Sequence, residues 1–206
     1  ILSLGTFLRL YSLGSKSLWL DEIGEVLVAK TIISDLLPSH IATVQGIYYH
    51  ISPPLDYIIL HFFLGSGTSE FFIRLPAAIY GILSILVIFF VGKEMYGENE
   101  GLICSFLLAI CPKAIYYSQE ARMYSLFLLL SLLSLFIFHR INKSCNTGKY
   151  WVLLTIVNAA IIYTHYFGFF VLLTEGMYLG GNLILHLRSG PGAFLRQKMN
   201  LFLHFC

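Results

Sequence analysis

The stretch FFIRLPAAIYGILSILVIFFVG at residues 71–92 decides the class of this protein. It is almost entirely apolar, and a helix needs about 20 mostly apolar residues to cross the hydrocarbon core of a membrane. Gly81 lies inside the stretch, which membrane helices tolerate. We therefore predict a transmembrane helix here.

The composition of the whole chain supports the same class. Its 206 residues are 57% hydrophobic, 16% aromatic and only 12% charged, with a mean hydropathy of +0.78. Soluble domains carry about 25% charged residues, so this chain has too little polar surface to cover a soluble globule. The net charge of +2 is too small to suggest a nucleic-acid partner.

Further spans follow from the same criterion. We predict them at residues 1–13, 71–92, 101–117, 123–138, 150–163, 167–187 and 200–206, and we expect the first and last to be truncated. The apolar run 150–187 is too long for one helix and breaks at 164–168. The predicted fold is all-α and multi-span, and we expect the chain to be the N-terminal part of a larger transmembrane domain.

The segment 54–64 is apolar but short, and it carries Asp56 and His61. Its length favours an interfacial or re-entrant helix. The loops 93–100, 140–149 and 188–198 then share one side and hold seven Lys and Arg residues, which makes that side the cytoplasm. The long loop 14–70 and the loops 113–122 and 164–168 lie outside.

Two adjacent carboxylates, Asp21 and Glu22, open the first outer loop. Residues 20–37 form a predicted amphipathic juxtamembrane helix, whose apolar side chains share one side. They are Ile23, Val26, Leu27, Ile33 and Leu37. Asp21 as the N-cap of this helix is the structural interpretation of the pair. A functional role is the alternative.

All three outer loops carry ionisable side chains, and ionisable groups near a membrane are functional candidates. Each also has a structural interpretation: Arg74 as a side chain that reaches for the headgroups, His165 as a turn residue, and the tyrosines as an aromatic belt. Together they could line a wet cavity. There a carboxylate would act as a general base on an acceptor hydroxyl or amine, and cations would bind a lipid phosphate leaving group.

Five stretches, taken in order, resemble one family. They are SLWLDE at 17–22, SPPLDY at 52–57, SEFFIRLP at 69–76, YSQEARMY at 117–124 and YTHYF at 163–167. The chain resembles the GT-C glycosyltransferases that use polyprenyl-phosphate sugars. Within them it is most similar to the family-39-like enzymes related to dolichyl-phosphate-mannose–protein mannosyltransferases and aminoarabinose transferases.

The resemblance implies a single inverting displacement that releases polyprenyl phosphate. It implies Asp21 as the base that activates the acceptor, with Glu22 beside it, and it places Gln119, Glu120 and Arg122 in the donor and acceptor site. Many relatives have His or Lys immediately before the Pro-Pro pair. Here Ser52 stands there and His50 lies two residues earlier.

From these arguments we expect Arg122 to bind the donor phosphate. His50 and His165 are further candidates, and Tyr117 and Tyr124 are expected to line the sugar site. The expected partners are a polyprenyl-phosphate sugar, membrane lipid, and an acceptor protein, lipid or glycan, with no nucleic acid. The expected location is the plasma membrane, with the active site facing outside. Two adjacent carboxylates could also hold a divalent metal ion, but no ligand set is complete.

Two other functions stay open at this point. A transporter or flippase of lipid-linked sugars would need ionisable groups near the middle of its spans, where this sequence offers only Glu175 and Arg9. A non-catalytic membrane scaffold would tolerate Asp21→Asn without consequence.

Overall fold

The computed structural model describes residues 1–30, 41–44, 47–50, 53–143 and 148–185. Side chains are described in all of these ranges except 41–44 and 47–50. Apart from turns and loops, these residues are helical, with one two-stranded antiparallel hairpin. The elements are α1 (Leu2–Leu10), α2 (Leu20–Ala29), β1 (Ile41–Val44), β2 (Ile47–His50), α3 (Leu55–Leu64), α4 (Glu70–Met95), α5 (Glu98–Ile110), α6 (Pro112–Ser118), α7 (Tyr124–Lys143), α8 (Gly148–Ile162) and α9 (Gly168–Leu185).

Among these helices, α4, α7 and α9 are each long and apolar enough to cross a membrane. Helices α5 and α6 pass the same test as a pair, with a bend of 61° between them. The prediction of an all-α, multi-span membrane protein is thereby confirmed. Residues 1–168 form one compact unit, and α9 from Phe169 onward belongs to a second.

Helix α3 has ten residues. At a rise of 1.5 Å per residue it is about 15 Å long, half the thickness of a hydrocarbon core. The length agrees with a helix that does not cross the membrane, although its interfacial position stays a prediction.

Helix α4 is the centre of the first unit and packs against α1, α3, α5, α6 and α7. Two glycines bring it very close to α5. A Cβ atom added to Gly92 would lie 2.8 Å from the Cα atom of Gly101. Small residues of this kind allow membrane helices to contact through their backbones.

The bend between α5 and α6 coincides with Pro112. Proline has no N–H, so the carbonyl of Leu108 loses its donor four residues on. The buried guanidinium of Arg9 supplies the missing donors: Nη2 donates to Leu108 O at 3.1 Å, and Nη1 donates to Ala109 O at 3.1 Å. Arg9 is fully buried, and its position in α1 is thereby explained without transport.

The three predicted outer loops meet at one end of this unit. The N–H of Leu55 donates to Tyr163 O at 2.9 Å, which ties the first outer loop to the third. The amide of Gln119 donates to Leu8 O at 2.9 Å and to Tyr11 O at 3.1 Å, so the second loop covers the end of α1. These contacts hold the loops that carry the candidate site.

Two details of α2 differ from the prediction. Its N-cap is Trp19, so the assignment of Asp21 as the N-cap is wrong. Ile23, which belongs to the predicted apolar side, is 40% exposed, whereas Glu22 and Glu25 are buried. The reason is tertiary: Glu22 and Glu25 lie on the side of α2 that faces the protein, where Arg74 and Arg122 pair with them. The remainder of the predicted helix, with Ile33 and Leu37, lies outside the described residues.

Candidate active site

Asp21 and Glu22 are adjacent in sequence but point to different surroundings. Successive residues of an α-helix are about 100° apart, so only one of the two can face the protein. The side chain of Asp21 is 44% exposed, and that of Glu22 is 0% exposed. The pair therefore divides into a buried carboxylate and an accessible one.

Glu22 is the centre of a buried network. Its Oε1 accepts from Arg74 Nε at 2.8 Å and from the N–H of Ala121 at 2.9 Å. Its Oε2 accepts from Arg74 Nη2 at 2.6 Å and from the N–H of Trp19 at 3.3 Å. This carboxylate thereby joins α2, the start of α4 and the second outer loop.

Arg74 is buried in the same network, so the interpretation that it reaches for lipid headgroups is wrong. Its Nη1 donates to Leu13 O at 3.1 Å and to Lys16 O at 2.8 Å, and its Nη2 donates to Ser17 O at 3.2 Å. A bidentate contact with a carboxylate, together with three backbone carbonyls that accept hydrogen bonds, satisfies the donors of the buried guanidinium. Arg74 and Glu22 thus fix the chain on which Asp21 lies.

Arg122 faces the accessible carboxylate. Its Nη1 lies 3.7 Å from Asp21 Oδ2 and 3.3 Å from Glu25 Oε1. Its guanidinium lies 5.8 Å from the centre of the Tyr124 ring, within the range of a cation–π contact. Neighbouring carboxylates raise the pKa of Arg122 against the opposing effect of burial, so the residue is a permanent cation.

A second pair of acids, Glu25 and Asp56, lies behind Arg122. Burial, the nearby Asp56 carboxylate and Asp21 raise the pKa of Glu25 to about 8, against the opposing effects of Arg122 and a Tyr57 hydrogen bond. Burial raises the pKa of Asp56 to about 6, again opposed by Arg122. Asp56 and Arg122 share the lining of a small cavity with apolar residues of α3 and α4.

The sequence analysis did not select Glu25 or Asp56 as site residues. Asp56 was noted only as a charge in a short apolar helix. The usable signal was this charge, because a carboxylate in an apolar helix needs a partner.

Aromatic rings line the other side of Arg122. Tyr117 and Tyr124 are 4.6 Å apart between ring centres, and His165 lies 6.0 Å from Tyr124. The Nδ1 atom of His165 accepts the N–H of Phe167 at 3.0 Å. Partial burial, and then the charge of Arg122, lower the pKa of His165. A neutral imidazole beside aromatic rings suits sugar contact better than phosphate binding.

The other predicted site residues are placed as follows. The amide nitrogen of Gln119 donates to carbonyls at the end of α1, which gives it a structural contact. Glu120 is buried, and its carboxylate interacts with the Tyr116 phenol. His50 ends β2, opposite Ile41, and its side chain lies outside the described part of the chain.

No group of three or more His, Cys, Asp or Glu side chains comes together as a metal site within the residues that the structure describes. What the described site brings together is an accessible carboxylate, a fixed guanidinium and a set of aromatic rings. A carboxylate can accept a proton, a guanidinium can bind a phosphate, and aromatic rings can stack on a sugar.

Such a site on a multi-span helical unit suits a polar substrate at a membrane surface. The model of the dolichyl-phosphate-mannose-protein mannosyltransferase family matches residues 51–189, about two thirds of the chain. The chain belongs to this family, and therefore to the membrane glycosyltransferases of the GT-C type, which act on a lipid-linked sugar donor and an acceptor.

The matched range includes Arg74, Arg122 and His165 and begins after Asp21 and Glu22. No curated protein and no solved structure matches the chain.

Proposed function

We propose that the protein transfers a sugar from a polyprenyl-phosphate donor to an acceptor at the outer face of the plasma membrane. The observation that carries the proposal is the approach of an exposed carboxylate to a fixed guanidinium, with 3.7 Å between Asp21 Oδ2 and Arg122 Nη1. The two groups come from different outer loops. The family supplies the general class of reaction, and this pair supports the particular roles.

In the proposed reaction, Asp21 takes the proton of the acceptor hydroxyl or amine as that group attacks the anomeric carbon of the sugar. The bond from this carbon to the phosphate oxygen breaks on the opposite face, so the configuration inverts. Polyprenyl phosphate leaves with the bonding electrons, and the charge of Arg122 stabilises it. Tyr117, Tyr124 and His165 contact the sugar.

Glu22 is proposed as a positioning residue rather than a base. Its two oxygens already accept hydrogen bonds from Arg74, Trp19 and Ala121. A carboxylate in that state has little remaining capacity for a proton from the acceptor. Its contribution is to hold Asp21 and the second outer loop in fixed positions relative to each other.

The testing experiment is a transfer assay on the full-length chain in lipid vesicles. It uses a panel of radiolabelled polyprenyl-phosphate sugars that includes dolichyl-phosphate mannose. Asp21→Asn keeps the shape of the side chain and removes the base, so transfer should fall by about 10²–10⁴-fold. The matched control is Glu98→Gln, which removes an exposed carboxylate from an ion pair with Lys93. That control should transfer like the wild type.

Equal transfer by wild type and Asp21→Asn would show that the base lies elsewhere. Movement of labelled lipid across the bilayer without any transfer would instead support a flippase.

A further inference from the structure

Two buried acids at the candidate site have no part in the proposed reaction. Glu25 is 2% exposed and Asp56 is 9% exposed. Their raised pKa values mean that the folded state disfavours their charged forms, so above the ordinary pKa of a carboxylic acid these side chains cost stability. Groups that cost stability and lie beside a reactive site are candidates for a role in that site.

Arg122 needs external support to keep its position. It belongs to residues 119–123, a short non-helical link between α6 and α7. Its Nε atom has no hydrogen-bond partner among the described residues. Tyr124 contacts the guanidinium from the start of α7. On the buried side the group that pairs with it is the carboxyl group of Glu25, with 3.3 Å between Glu25 Oε1 and Arg122 Nη1.

Four titratable side chains face Glu25 among those that the structure describes. Asp21 lies on the same helix, Asp56 and Tyr57 face Glu25 from α3, and Arg122 faces it from the second outer loop. Arg122 is the only cation among these groups. It thus lies between a buried carboxyl group and the exposed carboxylate of Asp21.

We propose that Glu25 is a positioning residue, whose buried carboxyl group holds the guanidinium of Arg122 beside Asp21, where the phosphate of the lipid-linked sugar binds. This inference rests on the proposed function. The contact is an ion-pair approach rather than a hydrogen bond, since neither oxygen of Glu25 accepts a hydrogen bond from the guanidinium. Asp56 supports the arrangement from the cavity beneath Arg122.

The proposal makes activity and stability respond in opposite directions. Glu25→Leu removes a buried carboxyl group and should leave the thermal midpoint unchanged or higher. The same variant releases Arg122, so the KM for dolichyl-phosphate mannose should rise by about 10- to 100-fold, because misplacing a substrate-binding group by about 1 Å can cost about 100-fold. Glu25→Gln keeps one acceptor oxygen and should recover most of this loss.

Glu94→Leu is the matched control. Glu94 pairs with Arg140 at 2.6 Å, far along α4 from the site, so this variant also frees an arginine from its carboxylate. It should leave the KM for the donor unchanged. If Glu25→Leu does not fold, Glu25→Ala removes the same oxygens without added bulk and takes its place.

A second readout does not depend on sugar transfer. Phenylglyoxal modifies accessible arginines, and mass spectrometry reports the extent at each one. Glu25→Leu should speed modification of Arg122 and leave Arg140 unchanged, and Glu94→Leu should do the reverse. If the wild type transfers no sugar, the proposed function fails, and this reactivity alone decides the positioning role.

Two results would overturn the inference. One is an unchanged reactivity of Arg122 in Glu25→Leu. The other is a donor KM within about twofold of the wild type when transfer is active. Loss of thermal stability in step with the loss of activity would also count against it, because a purely structural role predicts that pattern.

Discussion

The adjacent acids Asp21 and Glu22 should give opposite results when each is replaced by its amide. In Glu22→Gln the remaining oxygen can still accept from Arg74 Nε and from the N–H of Ala121, which lie 2.8 and 2.9 Å from Oε1. The new NH₂ group then faces Arg74 Nη2 and the N–H of Trp19, which both donate to Oε2 in the wild type. Two hydrogen bonds and the partner charge of a buried arginine are lost together.

The magnitude follows from these losses. Hydrogen bonds to charged groups contribute about 1.5–3 kcal/mol each, and a buried ion pair deprived of one partner costs about 3–5 kcal/mol. We therefore expect Glu22→Gln to lower the free energy of unfolding by about 3–5 kcal/mol. Asp21→Asn should change it by less than about 1 kcal/mol, because the Asp21 side chain is 44% exposed and its contact with Arg122 is long.

The assay is unfolding of the purified chain in mixed micelles as the mole fraction of SDS increases, followed by circular dichroism. The variants are Glu22→Gln, Arg74→Met, their combination, and Asp21→Asn as the matched control. Because Glu22 and Arg74 form one network, the combination should lose clearly less than the sum of the single losses, with a coupling of about 2 kcal/mol or more. The same samples are then used in the transfer assay. Asp21→Asn should lose activity and keep its stability, whereas Glu22→Gln should lose both activity and stability.

The reasoning fails if Glu22→Gln unfolds within about 0.5 kcal/mol of the wild type. It also fails if the losses from Glu22→Gln and Arg74→Met simply add, because the pair would then not act as one unit.

Two further predictions concern other buried charges. Arg9→Met leaves the carbonyls of Leu108 and Ala109 without their donors at the break between α5 and α6. Each unsatisfied carbonyl should lower the free energy of unfolding by about 1–3 kcal/mol, so the SDS midpoint should fall. An unchanged midpoint would mean that these carbonyls find other donors. The pKa of Glu25 is raised to about 8 in the folded state, so its contribution to stability is complete below its ordinary pKa and is lost as the pH rises toward about 8. The thermal midpoint of the wild type should therefore fall between about pH 5 and pH 8, and that of Glu25→Gln should fall less; parallel curves would contradict this reasoning.

Hydropathy and length determined much of this protein from the sequence alone. The apolar stretch 71–92 lies within α4, the run 123–138 overlaps α7, and the break at 164–168 falls between α8 and α9. These features are local, because the transfer of a helix into lipid is roughly a sum over about 20 neighbouring residues. The family resemblance was likewise readable, since its motifs are short and ordered along the chain.

The partners of the charged side chains were decided only by the tertiary structure. The ion pair of Glu22 with Arg74 joins residues that are 52 positions apart, and the hydrogen bond of Glu22 to Ala121 joins residues that are 99 apart. Helix periodicity grouped the apolar side chains of α2 on one side and did not indicate that Glu22 and Glu25 are buried, because it does not take account of the distant cations that pair with these acids. Burial of a charge is favourable only when its partner is in place, and α2, the start of α4 and the second outer loop must come together before Glu22 has its partners.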